Sequence, residues 1–157
     1  MPPIASLITP ERVVCGLPAD GKQQALEHLG QLLTRGMPDI AAATVLASLV
    51  VRERSGSTGL GRGIAFPHGR LPGLPETIGA CIRLDTAIDF AALDNRPVDL
   101  VFALLVPEES PDTHLQWLAQ LAQMFSDTGF AQQLRAARDD HELYTLLSHW
   151  EPRRATA

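Results

Sequence analysis

The 157-residue sequence predicts an α/β fold, an α+β sandwich in which a mixed central β-sheet is flanked by helices on both faces. Three observations carry this expectation. Leu100-Val101-Phe102-Ala103-Leu104-Leu105-Val106 is apolar without a break, the pattern of a central strand covered on both sides. Two further short apolar runs, residues 64–66 and 78–84, are bounded by Pro, Gly or Asp in the manner of strands. Around them lie stretches with apolar residues three and four positions apart, which is the helical period.

The elements follow in order. Residues 22–35 place Leu26, Leu29, Leu32 and Leu33 on one stripe, with Asp20 as the expected N-cap and Gly36 as the stop. A second helix follows Pro38-Asp39, carries Ile40, Val45, Leu46, Leu49 and Val50, and ends near Arg54. Residues 55–63 contain four glycines and read as a loop of unusual backbone freedom. Strands are expected at 64–66, 78–84 and 98–106. Helical spacing returns in residues 111–126 through Leu115, Leu118, Leu121, Ala122 and Phe125, and again in segments 128–137 and 139–149. In the last of these, Asp139 or Asp140 is placed to cap, and Leu143, Leu146 and Leu147 face inward.

Composition narrows the function. Apolar residues make up 45% and charged residues 20%, which excludes a disordered chain, and with only 5% aromatic residues the core must be aliphatic. One domain is expected over residues 1–157, with its core at about 4–149. No apolar run approaches the roughly 18 residues of a membrane-spanning helix, and the first ten residues lack the charged-then-apolar order of a signal peptide. Membrane insertion is therefore not expected, and a cytoplasmic protein is. Cys15 and Cys81 stand far apart and outside any C-x-x-C, so a disulfide framework or zinc ribbon is not available; Cys81 reads as a small core residue. The net charge of −5, with no basic block beyond Arg153-Arg154, argues against nucleic acid as a partner.

The segment most informative about chemistry is Gly63-Ile64-Ala65-Phe66-Pro67-His68-Gly69-Arg70. A short strand is expected to end at Pro67, so His68 would be presented where the chain leaves the sheet. Neutral imidazole is a nucleophile that forms a phosphoramidate when the site supplies positive charge. The same pattern also fits a loop histidine that caps a turn. Arg52, at the end of the second helix, carries a planar fork suited to phosphate oxygens, although a solvated cation favoured by the helix dipole has the same position. His114, near the start of a later helix, could donate to the same oxygens or be an ordinary first-turn polar residue. The glycine-rich loop is not a nucleotide motif: it lacks Gly-x-Gly-x-x-Gly, no Gly-Lys-Ser/Thr follows, and it comes after a helix. It does offer backbone N–H groups and the hydroxyls of Ser57 and Thr58, a candidate phosphoryl nest or simply a tight connection needing positive φ. Ser57, Thr58 and Gly69 are the candidate phosphate supports. His28, His141 and His149 read as surface helix residues, and His141-Glu142 lacks the second histidine of His-Glu-x-x-His, so neither a metal nor a cofactor is expected.

Taken together, Arg52-Glu53-Arg54, Ser57-Thr58-Gly59-Leu60-Gly61, Gly63 to Gly69, Leu93 to Leu100, Phe102 to Pro107 and Thr113-His114-Leu115 resemble the type-2 enzyme IIA family of the bacterial phosphoenolpyruvate phosphotransferase system, most closely its nitrogen-regulatory branch. The resemblance runs over nearly the whole chain. It implies a mixed sheet flanked by helices and a transiently phosphorylated histidine, with His68 as acceptor, His114 as second active-site histidine and Arg52 as the arginine beside them. It further implies a histidine phosphocarrier protein as donor and regulated targets such as potassium-transport or sensor-kinase proteins. The alternative is a sugar-specific enzyme IIA that passes the group to a IIB cysteine. Two positions depart from the common pattern: Arg62 stands where Asn is usual, adding a cation expected near the phosphate, and Phe66 where an aliphatic residue is usual.

Overall fold

The computed structural model describes residues 3–109 and 113–151, and for residues 113 and 114 the backbone only. Two short 3-10 turns, Ile4–Leu7 and Pro10–Arg12, lead into strand β1 (Val13–Leu17). Helices α1 (Lys22–Leu33) and α2 (Ala42–Arg54) follow. Then come β2 (Gly59–Gly61), β3 (Ile64–Ala65), β4 (His68–Leu71), β5 (Ile78–Ile88) and β6 (Val98–Pro107). The chain closes with α3 (Thr113–Ser126), α4 (Thr128–Arg135) and α5 (Asp140–His149).

The sheet is mixed, in the order β1-β5-β6-β3-β2, with β4 also paired to β6. β5 and β6 are antiparallel, while β1 lies parallel to β5, and β3 and β4 lie parallel to β6. Period-two geometry explains why β6 is apolar throughout. Leu100, Phe102, Leu104 and Val106 enter the core beneath α3, α4 and α5, whereas Val101, Ala103 and Leu105 enter the one beneath α1 and α2. Each face has its own layer of helix. Cys81 is fully buried, as expected, and burial pushes its thiol pKa well up.

Several sequence expectations are corrected. Gly21, not Asp20, is the N-cap of α1; Asp20 instead donates its backbone N–H to Gln24 Oε1 at 2.6 Å. Residues 59–61 are not loop but a short strand paired antiparallel with β3. The chain does not leave the sheet at Pro67. It bends there and re-enters as β4, so β3 and β4 lie end to end along β6, with Leu100 and Val101 facing the first and residues 104–107 the second. Proline has no N–H to give the ladder, but its carbonyl still accepts from Leu104 N at 3.0 Å. On α3 the buried stripe is Trp117, Leu121, Met124 and Phe125, while Leu115 is 59% exposed and Ala122 also faces outward. Residues 111 and 112, expected in that helix, lie outside the described residues. The caps of the last two helices are Asp127, accepting from Phe130 N, and Asp139, accepting from Glu142 N. Asp140 serves elsewhere, accepting the Cys15 backbone N–H at 2.7 Å.

Candidate functional site

His68 opens β4, and Arg52 sits in the last turn of α2. What brings them together is the packing of α2 across β4. Ser48 Oγ donates to the Arg70 carbonyl at 2.9 Å, and the close approach depends on Gly69 having no side chain. A Cβ at Gly69 would lie 3.0 Å from Ser48 Cβ and nearer still to its hydroxyl. Gly69 is thus a packing residue under the site.

The hydrogen bonds of His68 assign its tautomer. Nδ1 lies 3.0 Å from the Phe66 carbonyl oxygen, which can only accept, so Nδ1 carries the proton. Nε2 then presents its lone pair, and Arg52 Nε–H donates to it at 3.2 Å. Both partners demand the same neutral form. Arg52 is itself anchored, since Nη1 donates to the Gly56 carbonyl at 2.8 Å. The sequence reading that joined His68 and Arg52 therefore corresponds to a direct contact. The backbone of His114 lies in the first turn of α3, and its side chain lies outside the described residues.

Glu53, next to Arg52, holds the 55–58 segment and was not singled out as a site residue. Its side chain is 4% exposed and pairs with Lys22 Nζ at 2.6 Å. It accepts the Thr58 backbone N–H at 3.2 Å and the Thr58 hydroxyl. Ser57 Oγ donates to the Phe90 carbonyl at 2.7 Å and accepts from Gly59 N at 3.0 Å. The expected phosphoryl nest is accordingly occupied by the protein's own groups: the Thr58 amide and hydroxyl belong to Glu53, and the Ser57 proton to Phe90. A carboxylate directly after Arg52 and five residues before a threonine was the available signal, but its partners, Lys22 and Thr58, come from two separate segments.

His68 and Arg52 form a wall shared by two concavities. One, of about 350 Å³, also involves Ser57, Thr58, Leu60, Phe66 and Leu118; the other, of about 650 Å³, runs along Ser48, Val51 and Gly69. Leu60 and Val51 beside them are 53% and 65% exposed. A nucleophilic nitrogen on a cationic donor, ringed by exposed apolar side chains, suits reaction with a group carried on another protein surface better than enclosure of a small substrate.

Arg62 is not part of this wall. It lines a separate groove, so the expectation of an added cation near His68 is corrected, whereas Phe66 is buried with its ring centroid 5.3 Å from that of Phe125. Among the described residues no group of three or more His, Cys, Asp or Glu side chains is placed to hold a metal ion, and no helix is long and apolar enough to cross a membrane.

Comparison with known proteins agrees with this architecture. A family model described as "Phosphoenolpyruvate-dependent sugar phosphotransferase system, EIIA 2" matches residues 6–150. A "Nitrogen regulatory protein" of Pseudomonas aeruginosa is 41% identical over 144 residues, 92% of this chain and 94% of that one. Another, from Bradyrhizobium diazoefficiens, is 40% identical over 93% of this chain and 95% of its own. A "PTS system fructose-specific EIIA component" of Haloferax volcanii is 32% identical over 91% of this chain and 94% of its own. Among solved structures, Nitrogen Regulatory Protein IIA-Ntr from Neisseria meningitidis superposes with a TM-score of 0.85 at 36% identity, covering 92% of this chain and 98% of that one. The chain belongs to the type-2 enzyme IIA family of the phosphoenolpyruvate-dependent sugar phosphotransferase system.

Proposed function

We propose that this chain is a cytoplasmic nitrogen-regulatory enzyme IIA, a single-domain phosphocarrier whose His68 accepts a phosphoryl group from a histidine phosphocarrier protein. The observation that carries the proposal is the opposed pair of hydrogen bonds on His68, which leaves Nε2 unprotonated beside Arg52. In the transfer, the Nε2 lone pair forms the new N–P bond while the N–P bond on the donor breaks and its electron pair returns to the donor imidazole. The Nδ1 proton stays in place, and the Phe66 carbonyl stabilises the positive charge the ring acquires. One phosphoramidate replaces another, so no metal or nucleotide is needed and the protein's task is positioning and charge neutralisation.

Arg52 exchanges its bond to Nε2 for bonds to the phosphoryl oxygens, where a planar guanidinium fits two acceptors at once. His114 supplies a second donor in this reading. Ser57, Thr58 and Gly69 shape the site in this reading, since the Ser57 and Thr58 hydroxyls are engaged within the protein and Gly69 admits the close approach of Ser48. Phosphorylation adds nearly two negative charges to a surface of exposed Leu60 and Val51, so the two forms differ to a partner. That difference would regulate targets such as potassium-transport or sensor-kinase proteins. The names of the 40% and 41% identical relatives support the regulatory branch.

The fructose-specific relative favours a second reading, in which the group passes on to a IIB cysteine. Incubation with phosphoenolpyruvate and the two upstream phosphocarriers tests both. Acid-labile, base-stable label should appear on wild type and not on His68→Ala, and it should persist when IIB proteins are added. Label on His68→Ala rejects the acceptor assignment, and rapid discharge to a IIB cysteine transfers the chain to the sugar-uptake reading.

A further inference from the structure

Three arginines, Arg62, Arg96 and Arg135, converge on a groove of about 490 Å³ whose floor includes Ile64, Phe125 and Ala131. Arg135 is braced: Nε lies 3.0 Å from both carboxylate oxygens of Asp99, and Nη2 donates to the Arg62 carbonyl at 2.7 Å. This pair lies across bare backbone, since a Cβ on Gly63 would come within 2.6 Å of Arg135 Nη2 and 3.0 Å of Asp99 Oδ1. Arg62 is held at φ +58°, a conformation unfavourable to a residue with a long side chain. Its N–H goes to Asp94 Oδ2 at 2.9 Å, and the other oxygen of Asp94 takes the Arg96 N–H at 3.0 Å. Asp94 thus binds the two backbones, and the guanidinium groups of Arg62 and Arg96 have no hydrogen bond or salt bridge among the described residues.

The charge arithmetic favours an anion. Three guanidinium groups face two carboxylates, Asp99 in the groove lining and Asp94 beside Arg62 and Arg96, which leaves a net positive charge on a protein whose net charge is −5. Strained backbone that its surroundings hold in place clusters at ligand-binding sites. The groove, of about 490 Å³, has room for a small molecule. We propose that this groove binds a small organic polyanion, its phosphate or carboxylate group forked by Arg62 and Arg96 and its apolar body resting on Phe125 and Ala131. The proposal is independent of the phosphocarrier reading.

Calorimetric titration with phenyl phosphate and with phthalate tests it, benzyl alcohol serving as the uncharged control. The expected result is binding of one or both anions, the preferred arm identifying phosphate or carboxylate as the recognised group, with no binding of the alcohol. Arg62→Asn, which suits the left-handed backbone better, and Arg96→Gln should each weaken binding, and the double variant by about tenfold or more through loss of both forks. Arg52→Ala should bind as wild type does. Absence of binding by either anion at millimolar concentration overturns the proposal. So does undiminished binding by the folded double variant, or loss of binding in Arg52→Ala, which would place the anion at His68.

Discussion

Replacing Glu53 with Ala should show how strongly one buried carboxylate supports the site. The deletion strands the Thr58 amide and hydroxyl, since Thr58 is only 4% exposed. Each stranded group costs about 1–3 kcal/mol once its charged acceptor is gone. Lys22, with 26% of its side chain exposed, regains water, so loss of its ion pair adds less than about 1 kcal/mol. The sum is about 2–7 kcal/mol, and for a domain of this length a thermal midpoint lowered by at least roughly 4 °C. Urea unfolding followed by circular dichroism measures it, with Lys22→Met as the partner experiment, expected to lose about 3 kcal/mol because it leaves the buried Glu53 carboxylate without its cation. The variant should also be phosphorylated more slowly at temperatures where it is fully folded, because the Gly56 carbonyl that anchors Arg52 belongs to the segment Glu53 holds. A loss below about 1 kcal/mol for Glu53→Ala would refute the reasoning, for it would mean that Thr58 finds other partners at no net cost.

Other outcomes follow from the same geometry. Gly69→Ala should destabilise by about 1–3 kcal/mol in urea unfolding, since the new methyl meets Ser48, and Ser48→Gly in the same chain should recover part of it. Arg52→Lys should fold normally yet accept phosphate about 10²-fold more slowly in single-turnover labelling, because an ammonium cannot keep both its anchor and a forked phosphate contact. Asp94 has a depressed pKa because it accepts backbone N–H bonds, first from Arg62 and then from Arg96. A depressed carboxylate stabilises the native state above its unfolded pKa of about 3.9, and that contribution disappears as pH falls through the lower folded value. Hydrogen exchange should therefore show protected Arg62 and Arg96 amides near neutrality and loss of that protection in acid, with Asp94→Asn weakening it near neutrality and removing its pH dependence.

The elements legible in the sequence were those whose pattern is local. The unbroken apolar run of β6 suits a doubly covered strand better than a half-exposed edge, and the leucine stripe of α1 has the period of a buried helix face. β4 was not legible because His68-Gly69-Arg70-Leu71 has little strand preference of its own and is held by pairing with β6, a contact 36 residues distant. The buried face of α3 was misjudged because Leu115 and Ala122 share the helical period with Leu118 while facing outward. For the site itself, His68 and Arg52 stood out through their neighbours in sequence. Glu53 did not, since its worth lies in Lys22 and Thr58 meeting it in space, and Arg62 was misplaced because a cation close in sequence to His68 was assumed close in the fold.

The account rests on Nε2 of His68 being the nitrogen that receives the phosphoryl group. Long-range ¹H–¹⁵N correlation spectra of the ¹⁵N-labelled protein, recorded before and during phosphorylation, read this directly. The unphosphorylated ring should be the neutral Nδ1–H tautomer, and phosphorylation should shift Nε2 while the Nδ1 proton remains bonded to the Phe66 carbonyl. A phosphate found on Nδ1 of His68, or on any other residue, would contradict it.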